Sequence, residues 1–219
     1  MRQLPMKHLI TWFVKLTGLL PLSLLLRIKT HYENKAVQGK RLRGGVLLLS
    51  NHKKLTDFFL YFTLFPFRRL HFLIAEVMYN KGKLFAWFLK CLGSIRVDRT
   101  SYDFDFIRQA VDELDRGHVV GIFPEGQLPR TKELGPFRPS AVMIALQSGA
   151  PIVPCYTDGV YFSLKRTHVM IGEPICLRDY CKDKNPTKEQ IDSLNTLLRD
   201  KILALGEALE QEKKRSKHA

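Results

Sequence analysis

Two side chains five positions apart pose the first chemical question. His52 and Asp57 lie in Ser50-Asn51-His52-Lys53-Lys54-Leu55-Thr56-Asp57. A carboxylate against one imidazole nitrogen fixes the tautomer and steadies the imidazolium, which frees the other nitrogen to act as a general base. On one continuous helix, at about 100° per residue, the two side chains would point roughly 140° apart. They meet only if a turn separates them, with His52 at a strand end and Asp57 at or near the start of the next helix. The residues allow this. Val46-Leu47-Leu48-Leu49 reads as a buried strand ending at Ser50, Thr56 or Asp57 can cap a helix, and an apolar stretch follows. A helix cap beside an ordinary loop histidine has the same spacing, so the pair alone decides nothing.

Two further segments carry suitable groups. Gly121-Ile122-Phe123-Pro124-Glu125-Gly126 places a carboxylate and a flexible glycine at the end of the strongest strand pattern. Gly93-Ser94-Ile95-Arg96-Val97-Asp98-Arg99 puts two arginines on a short strand, where a guanidinium could fork onto a phosphate. Taken singly, a strand-ending turn and a surface arginine explain them equally well. The four cysteines, Cys91, Cys155, Cys176 and Cys181, form no C-x-x-C pair and have no matching histidines for zinc. They read as reduced thiols. The G-x-S-x-G elbow of a serine hydrolase is missing, and Gly93-Ser94 does not supply it.

The elements that must position these groups are visible as a pattern. Short apolar runs bounded by turn residues recur at 46–50, 70–74, 94–97, 119–123, 152–155 and 168–171, as strands buried on both faces require. Helical patterns fall between them, at about 57–65, 76–92, 102–116 and 138–149. A last helix, about 187–212, opens at Thr187 with Gln190 three residues on, a capping-box pattern, and Lys-Lys-Arg-Ser-Lys-His reads as a frayed, solvated tail. Strands alternating with helices predict an α/β fold with a largely parallel sheet flanked by helices. Such folds place their sites in loops at the C-terminal strand ends, where His52 and Glu125 both fall.

Charge points to the setting. The chain has 219 residues, 45% of them hydrophobic, and a formal net charge of +14. That hydrophobic content excludes a disordered chain. Residues 1–100 hold 18 Lys+Arg and 4 Asp+Glu, so the whole excess lies there, mixed with the longest apolar runs. This mixture favours an anionic membrane surface as partner over nucleic acid. No aromatic-basic RNA signature or helix-turn-helix is recognisable. From Leu9 to Leu26 the chain reads LITWFVKLTGLLPLSLLL, 18 residues interrupted by Lys15, Gly18 and Pro21. That is near the lower limit for a membrane span. Lys7, Thr11 and Lys15 share one helical face, as in a helix lying in the interface. A bend at Gly18 to Pro21 and a second short helix over 22–28 are expected. A signal peptide would want small residues next, but Arg27, Lys29 and His31 follow.

Together the segments resemble the glycerolipid acyltransferase family typified by lysophosphatidic acid acyltransferase. Asn51-His52-Lys53-Lys54-Leu55-Thr56-Asp57 is similar to its first motif and Gly93 to Arg99 to its second. Phe123-Pro124-Glu125-Gly126 is similar to the third, and Ile152-Val153-Pro154 to the fourth. Leu134-Gly135-Pro136-Phe137 also fits, and the resemblance runs from about residue 45 to 175. It implies that His52 takes the proton from an acceptor hydroxyl and that Asp57 orients and polarises it. The hydroxyl then attacks the thioester carbonyl of acyl-CoA or acyl carrier protein. The implied acceptor is a lysophospholipid, foremost 1-acyl-sn-glycerol-3-phosphate giving phosphatidic acid. Asn51, Arg99, Glu125 and Gly126 fall to acceptor binding, with no metal and no cofactor besides the acyl donor. Residues 1–40 are then expected to form a membrane-associating helical motif and residues 41–219 the catalytic domain. The enzyme is expected to sit peripherally on the cytoplasmic face of a membrane.

The sequence departs from the family pattern at the acceptor side. Gln127-Leu128-Pro129 stands where the family has Thr-Arg-Ser, Arg138-Pro139-Ser140 where it has two basic residues and Gly, and Lys54 where it has Ser. Arg130 or Lys54 would have to supply the missing charge, or the acceptor is another lysolipid or a lipid alcohol. A non-catalytic basic protein binding membranes or nucleic acid accounts for the charge, but gives no reason for His52, Asp57 and FPEG together.

Overall fold

Strand β2 (Val46–Ser50) is buried at every position. Its Leu47 and Leu49 join one apolar cluster, and its Val46 and Leu48 join another. A strand whose alternate residues are apolar on both faces needs a layer on each side. A computed structural model describes residues 17–18, 21–35, 43–98, 104–129, 131, 133–183 and 185–218, and shows both layers.

The sheet also contains β1 (Lys29–Tyr32), β3 (Leu70–Ala75), β4 (Ile95–Val97), β5 (Val119–Ile122), β6 (Ile152–Thr157) and β7 (His168–Ile171). Its order is β1-β7-β6-β2-β5-β3-β4. All pairs are parallel except β6 with β7, so β7 and the edge strand β1 run against the other five. Helix α1 (Asp57–Leu64) covers the face carrying Val46 and Leu48. Helices α4 (Asp105–Asp115), α5 (Ser140–Ser148) and α6 (Lys188–His218) cover the face of Leu47 and Leu49. Two short helices, α2 (Glu76–Tyr79) and α3 (Lys83–Cys91), follow β3.

The six expected strands and the flanking helices are all present. Three details differ. Strand β1 lies within residues 1–40 yet pairs with β7, Lys29 opposite His168 and Tyr32 opposite Ile171. Its four residues, KTHY, hold no apolar run that could announce a strand. The single helix expected over 76–92 is two, parted at Gly82, whose φ of +141° suits only glycine. The last helix continues to His218 instead of fraying. Its Lys213 meets Asp158 at 3.2 Å and Glu210 at 2.9 Å, and Lys29 reaches Ser216 Oγ at 3.4 Å. The capping box forms as expected: the Thr187 N–H donates to Gln190 Oε1 at 2.7 Å, and the Gln190 N–H to Thr187 Oγ1 at 3.3 Å.

The N-terminal amphipathic helix expected over Leu9 to Lys15 lies outside the described residues. Residues 17–18 and 21–26 are helical. Leu24 and Leu25 are exposed, while Leu26 is buried in the core cluster beside α1. Among the described residues no helix is long and apolar enough to cross a membrane.

Candidate active site

The C-terminal ends of β2, β5 and β6 lie side by side, and the loops leaving them converge. Asn51, directly after β2, is buried. Its amide donates to the Thr157 carbonyl at 3.0 Å and accepts the Thr157 N–H at 2.8 Å. Both ends of the side chain are therefore engaged by the end of β6. Asn51, expected to bind the acceptor, ties two strand ends together here.

His52 follows. Its Nδ1 lies 2.7 Å from Asp57 Oδ2. The same oxygen accepts the backbone N–H groups of Lys53 at 2.6 Å and Lys54 at 3.0 Å. Asp57 is fully buried and is the first residue of α1. Neither it nor Thr56 makes a side-chain cap to that helix; the carboxylate reaches back to the turn before it. Three donors on one oxygen compensate a charge that water does not reach. The other oxygen, Oδ1, is buried without a hydrogen bond. Tyr161 stands beside the carboxylate, its phenol pushed up by burial and then by the Asp57 charge. It stays protonated.

The imidazole lies flat on Phe123, with ring centroids 4.3 Å apart and planes at 9°. The His52 N–H donates to Glu125 Oε1 at 3.0 Å, and the Gly135 N–H donates to Glu125 Oε2 at 3.0 Å. Glu125 is buried, so its charge rests on these two backbone donors. It clamps the His52 turn to the Gly135 loop. Gly126, at φ +67°, closes the turn from Phe123, its N–H donating to the Phe123 carbonyl at 2.9 Å. Orientation thus comes from three sides: Asp57 fixes Nδ1, Phe123 fixes the ring plane, and Glu125 fixes the backbone.

Among the described residues no hydrogen bond engages Nε2. His52 lines a cavity of about 410 Å³ whose other walls include Phe58, Phe72, Phe85, Leu89 and Leu128. A second cavity, about 210 Å³, shares Phe123 and Gly126 with it and is edged by Asp98, Arg138 and Ser140. An apolar chamber opening on an oriented imidazole suits a hydrophobic substrate that carries an ionisable hydroxyl.

The remaining expected residues are placed less centrally. Lys54 is exposed, with Nζ 5.6 Å from the centre of the Tyr161 ring. Arg99 and Arg130 lie outside the described residues. Arg96 is exposed and paired with Glu76, so it is not a free guanidinium awaiting phosphate. Three contributors were given no role from the sequence. Phe123 had a signal, being the first residue of FPEG. Arg138 stood out only as a departure; its side chain folds over Gly126, where an added Cβ would come within 2.5 Å of Arg138 Nε. Tyr161 had no signal, because it reaches Asp57 from the loop after β6.

These loops converge at one end of a mostly parallel α/β scaffold, and comparison with known proteins gives the family to which the scaffold belongs. The acyltransferase family model matches residues 27–158. The chain belongs to the acyltransferase family, whose members transfer acyl groups in lipid metabolism. It is 30% identical over 148 residues to the 1-acyl-sn-glycerol-3-phosphate acyltransferase of Bacillus subtilis (strain 168), covering 65% of this chain and 72% of that one. It is 27% identical over 148 residues to the protein of the same name from Cocos nucifera, covering 66% of this chain and 47% of that one. The crystal structure of the 1-acyl-sn-glycerophosphate (LPA) acyltransferase PlsC from Thermotoga maritima superposes with a TM-score of 0.59. Its sequence identity is 17%, over 90% of this chain and 78% of that one, so it speaks for the fold.

Proposed function

We propose that the protein moves a fatty acyl group from a thioester donor, acyl-CoA or acyl carrier protein, to the free hydroxyl of 1-acyl-sn-glycerol-3-phosphate. The observation that carries this reading is the His52 Nδ1 to Asp57 contact of 2.7 Å, with Nε2 left for substrate beside an apolar cavity of about 410 Å³. The names of the bacterial and plant relatives support the acceptor.

The geometry supports the following steps. The acceptor hydroxyl gives its proton to His52 Nε2 while its oxygen bonds to the thioester carbonyl carbon. Asp57 stabilises the resulting imidazolium through Nδ1. The tetrahedral intermediate then breaks its C–S bond. A thiol's pKa of about 8.5 makes thiolate a fair leaving group, and the imidazolium proton returns to it as free thiol. No acyl-enzyme forms, because the substrate supplies the hydroxyl. Asn51 and Glu125 act by holding the His52 turn. Arg138 holds the acceptor's phosphate in place of the arginine that Leu128 replaces. It stands at the rim by Gly126, and no ion pair engages it among the described residues. The apolar, basic N-terminal segment keeps the enzyme on an anionic bilayer that supplies the acceptor.

The test is a panel of lysolipids with both donor types, read by mass spectrometry, for the wild-type protein and His52→Ala. Phosphatidic acid should be the main product. The variant should lose about a hundred- to ten-thousandfold in turnover with unchanged circular dichroism. Near-normal turnover by His52→Ala would sink the base assignment. Leu128 faces the apolar cavity, so equal or better use of uncharged lysolipids would replace lysophosphatidate as the acceptor.

A further inference from the structure

A second cluster of titratable groups lies at the opposite end of the strands. His71 is the second residue of β3, His118 immediately precedes β5, and Glu113 sits in the last turn of α4. The reaction site is at the far end of β5, about 13 Å away at roughly 3.3 Å per residue. Nothing in the acyl-transfer mechanism uses these three side chains.

Their hydrogen bonding is incomplete in an informative way. His71 Nδ1 lies 2.8 Å from the Gly93 carbonyl, which only accepts, so the proton is on Nδ1. Nε2 therefore presents a lone pair. It is buried without a hydrogen bond, 3.4 Å from Glu113 Oε2. Two acceptors thus face each other where little water reaches. His118 Nδ1 lies 2.7 Å from the same carboxylate oxygen. One ligand atom from each of the three residues falls within 4.8 Å of the others.

We propose that His71, Glu113 and His118 form a binding site for a divalent transition ion of the zinc class. Two imidazoles and one carboxylate are the donor set of a three-ligand zinc site, with a fourth position open to water. Nitrogen ligands select against magnesium and calcium. Ligand atoms about 2.1 Å from a tetrahedral ion stand about 3.4 Å apart. His71 and Glu113 already have that spacing, and the His118 contact opens by a fraction of an ångström when the ion replaces the shared proton. The outer contacts are those a metal site uses to orient its ligands. The Gly93 carbonyl fixes the His71 tautomer, and Arg116 holds the other Glu113 oxygen at 2.6 Å. The three side chains retain 17%, 19% and 19% exposure, which leaves an entry path. An ion here would tie α4 to the starts of β3 and β5 and would stabilise the fold without touching the reaction.

The experiment uses the full chain, stripped with chelator and titrated with zinc chloride by calorimetry, with thermal melting alongside. One zinc per chain and a melting temperature raised by zinc are expected. Glu113→Gln and His118→Asn should each weaken binding at least tenfold while the chelator-stripped variants keep the wild-type circular dichroism. Cobalt substitution should give d–d bands without the thiolate charge-transfer band that the cysteines would produce. No zinc uptake by the wild type, undiminished uptake in both variants, or a thiolate band would each overturn the proposal. Acyl transfer is measured separately, so failure here leaves the function reading standing.

Discussion

The turn at 50–57 and the rim from Gly126 to Leu128 border one cavity, Arg138 edges the cavity beside it, and turn and rim are built on different terms. In the turn buried side chains are tied to backbone and to one another: Asn51 to Thr157, Asp57 Oδ2 to three donors, the His52 N–H to Glu125. The rim carries Leu128 where an arginine is expected, and its Arg138 lies exposed across a glycine turn. On the proposed function, the difference separates two tasks. Proton transfer needs one geometry to within a fraction of an ångström, and buried hydrogen bonds supply that rigidity. Choosing an acceptor needs only a charge of the right sign within reach, so several side chains and positions can serve.

The contrast is broken most severely at Asp57. Asp57→Asn keeps the shape but presents an amide to a cluster of three donors and can stabilise no imidazolium. The expected loss is about a thousandfold or more in kcat, the scale found for the orienting carboxylate of a Ser-His-Asp triad. The two backbone N–H groups would also lose a charged acceptor, which lowers the melting temperature. Steady-state kinetics beside thermal melting checks both. A variant within tenfold of wild type would show that His52 works without its carboxylate.

A milder break is Glu125→Gln. Glutamine has one acceptor oxygen for two facing N–H groups, so either the His52 or the Gly135 donor meets an amide N–H instead. An unmet buried donor costs about 1–3 kcal/mol. Since the lost clamp displaces the base and not the acceptor, kcat should fall about tenfold with KM little changed. A raised KM for phosphate-bearing lipids with kcat intact would move Glu125 from the turn's machinery to the rim's.

How much of this the sequence disclosed follows the same division. Continuous apolar runs bounded by turn residues, such as Val46 to Leu49, are legible because both faces of a central strand must be covered. The edge strand Lys29–Tyr32 hides because a neighbour on one side only demands no apolar run. The break at Gly82 had a local signal in Asn80-Lys81-Gly82-Lys83, but one glycine in a helical pattern is tolerated often enough that apolar residues on both sides read as a single helix. At the site, His52 and Asp57 are legible since their spacing and the turn between them are local. What Asn51 and Glu125 do is not, because their partners Thr157 and Gly135 lie far along the chain. A residue type announces a capacity to bind, and only the fold shows what it binds.

The smallest expected effect sharpens the rim. Arg138 is exposed, so water screens its charge and its pull on a phosphate is modest. Arg138→Ala should lower kcat/KM for lysophosphatidate about tenfold, mostly through KM, and should leave uncharged lysolipids nearly unaffected. Melting temperature should not move, since the guanidinium supports no buried contact. Raising the salt concentration should weaken wild-type use of lysophosphatidate more than it weakens the variant's, because the charge being screened is the one removed. Equal losses on charged and uncharged acceptors would mean that Arg138 serves only to cover the Gly126 turn. The phosphate would then be held elsewhere, and Lys54, with its ammonium over the Tyr161 ring, would be the next side chain to remove.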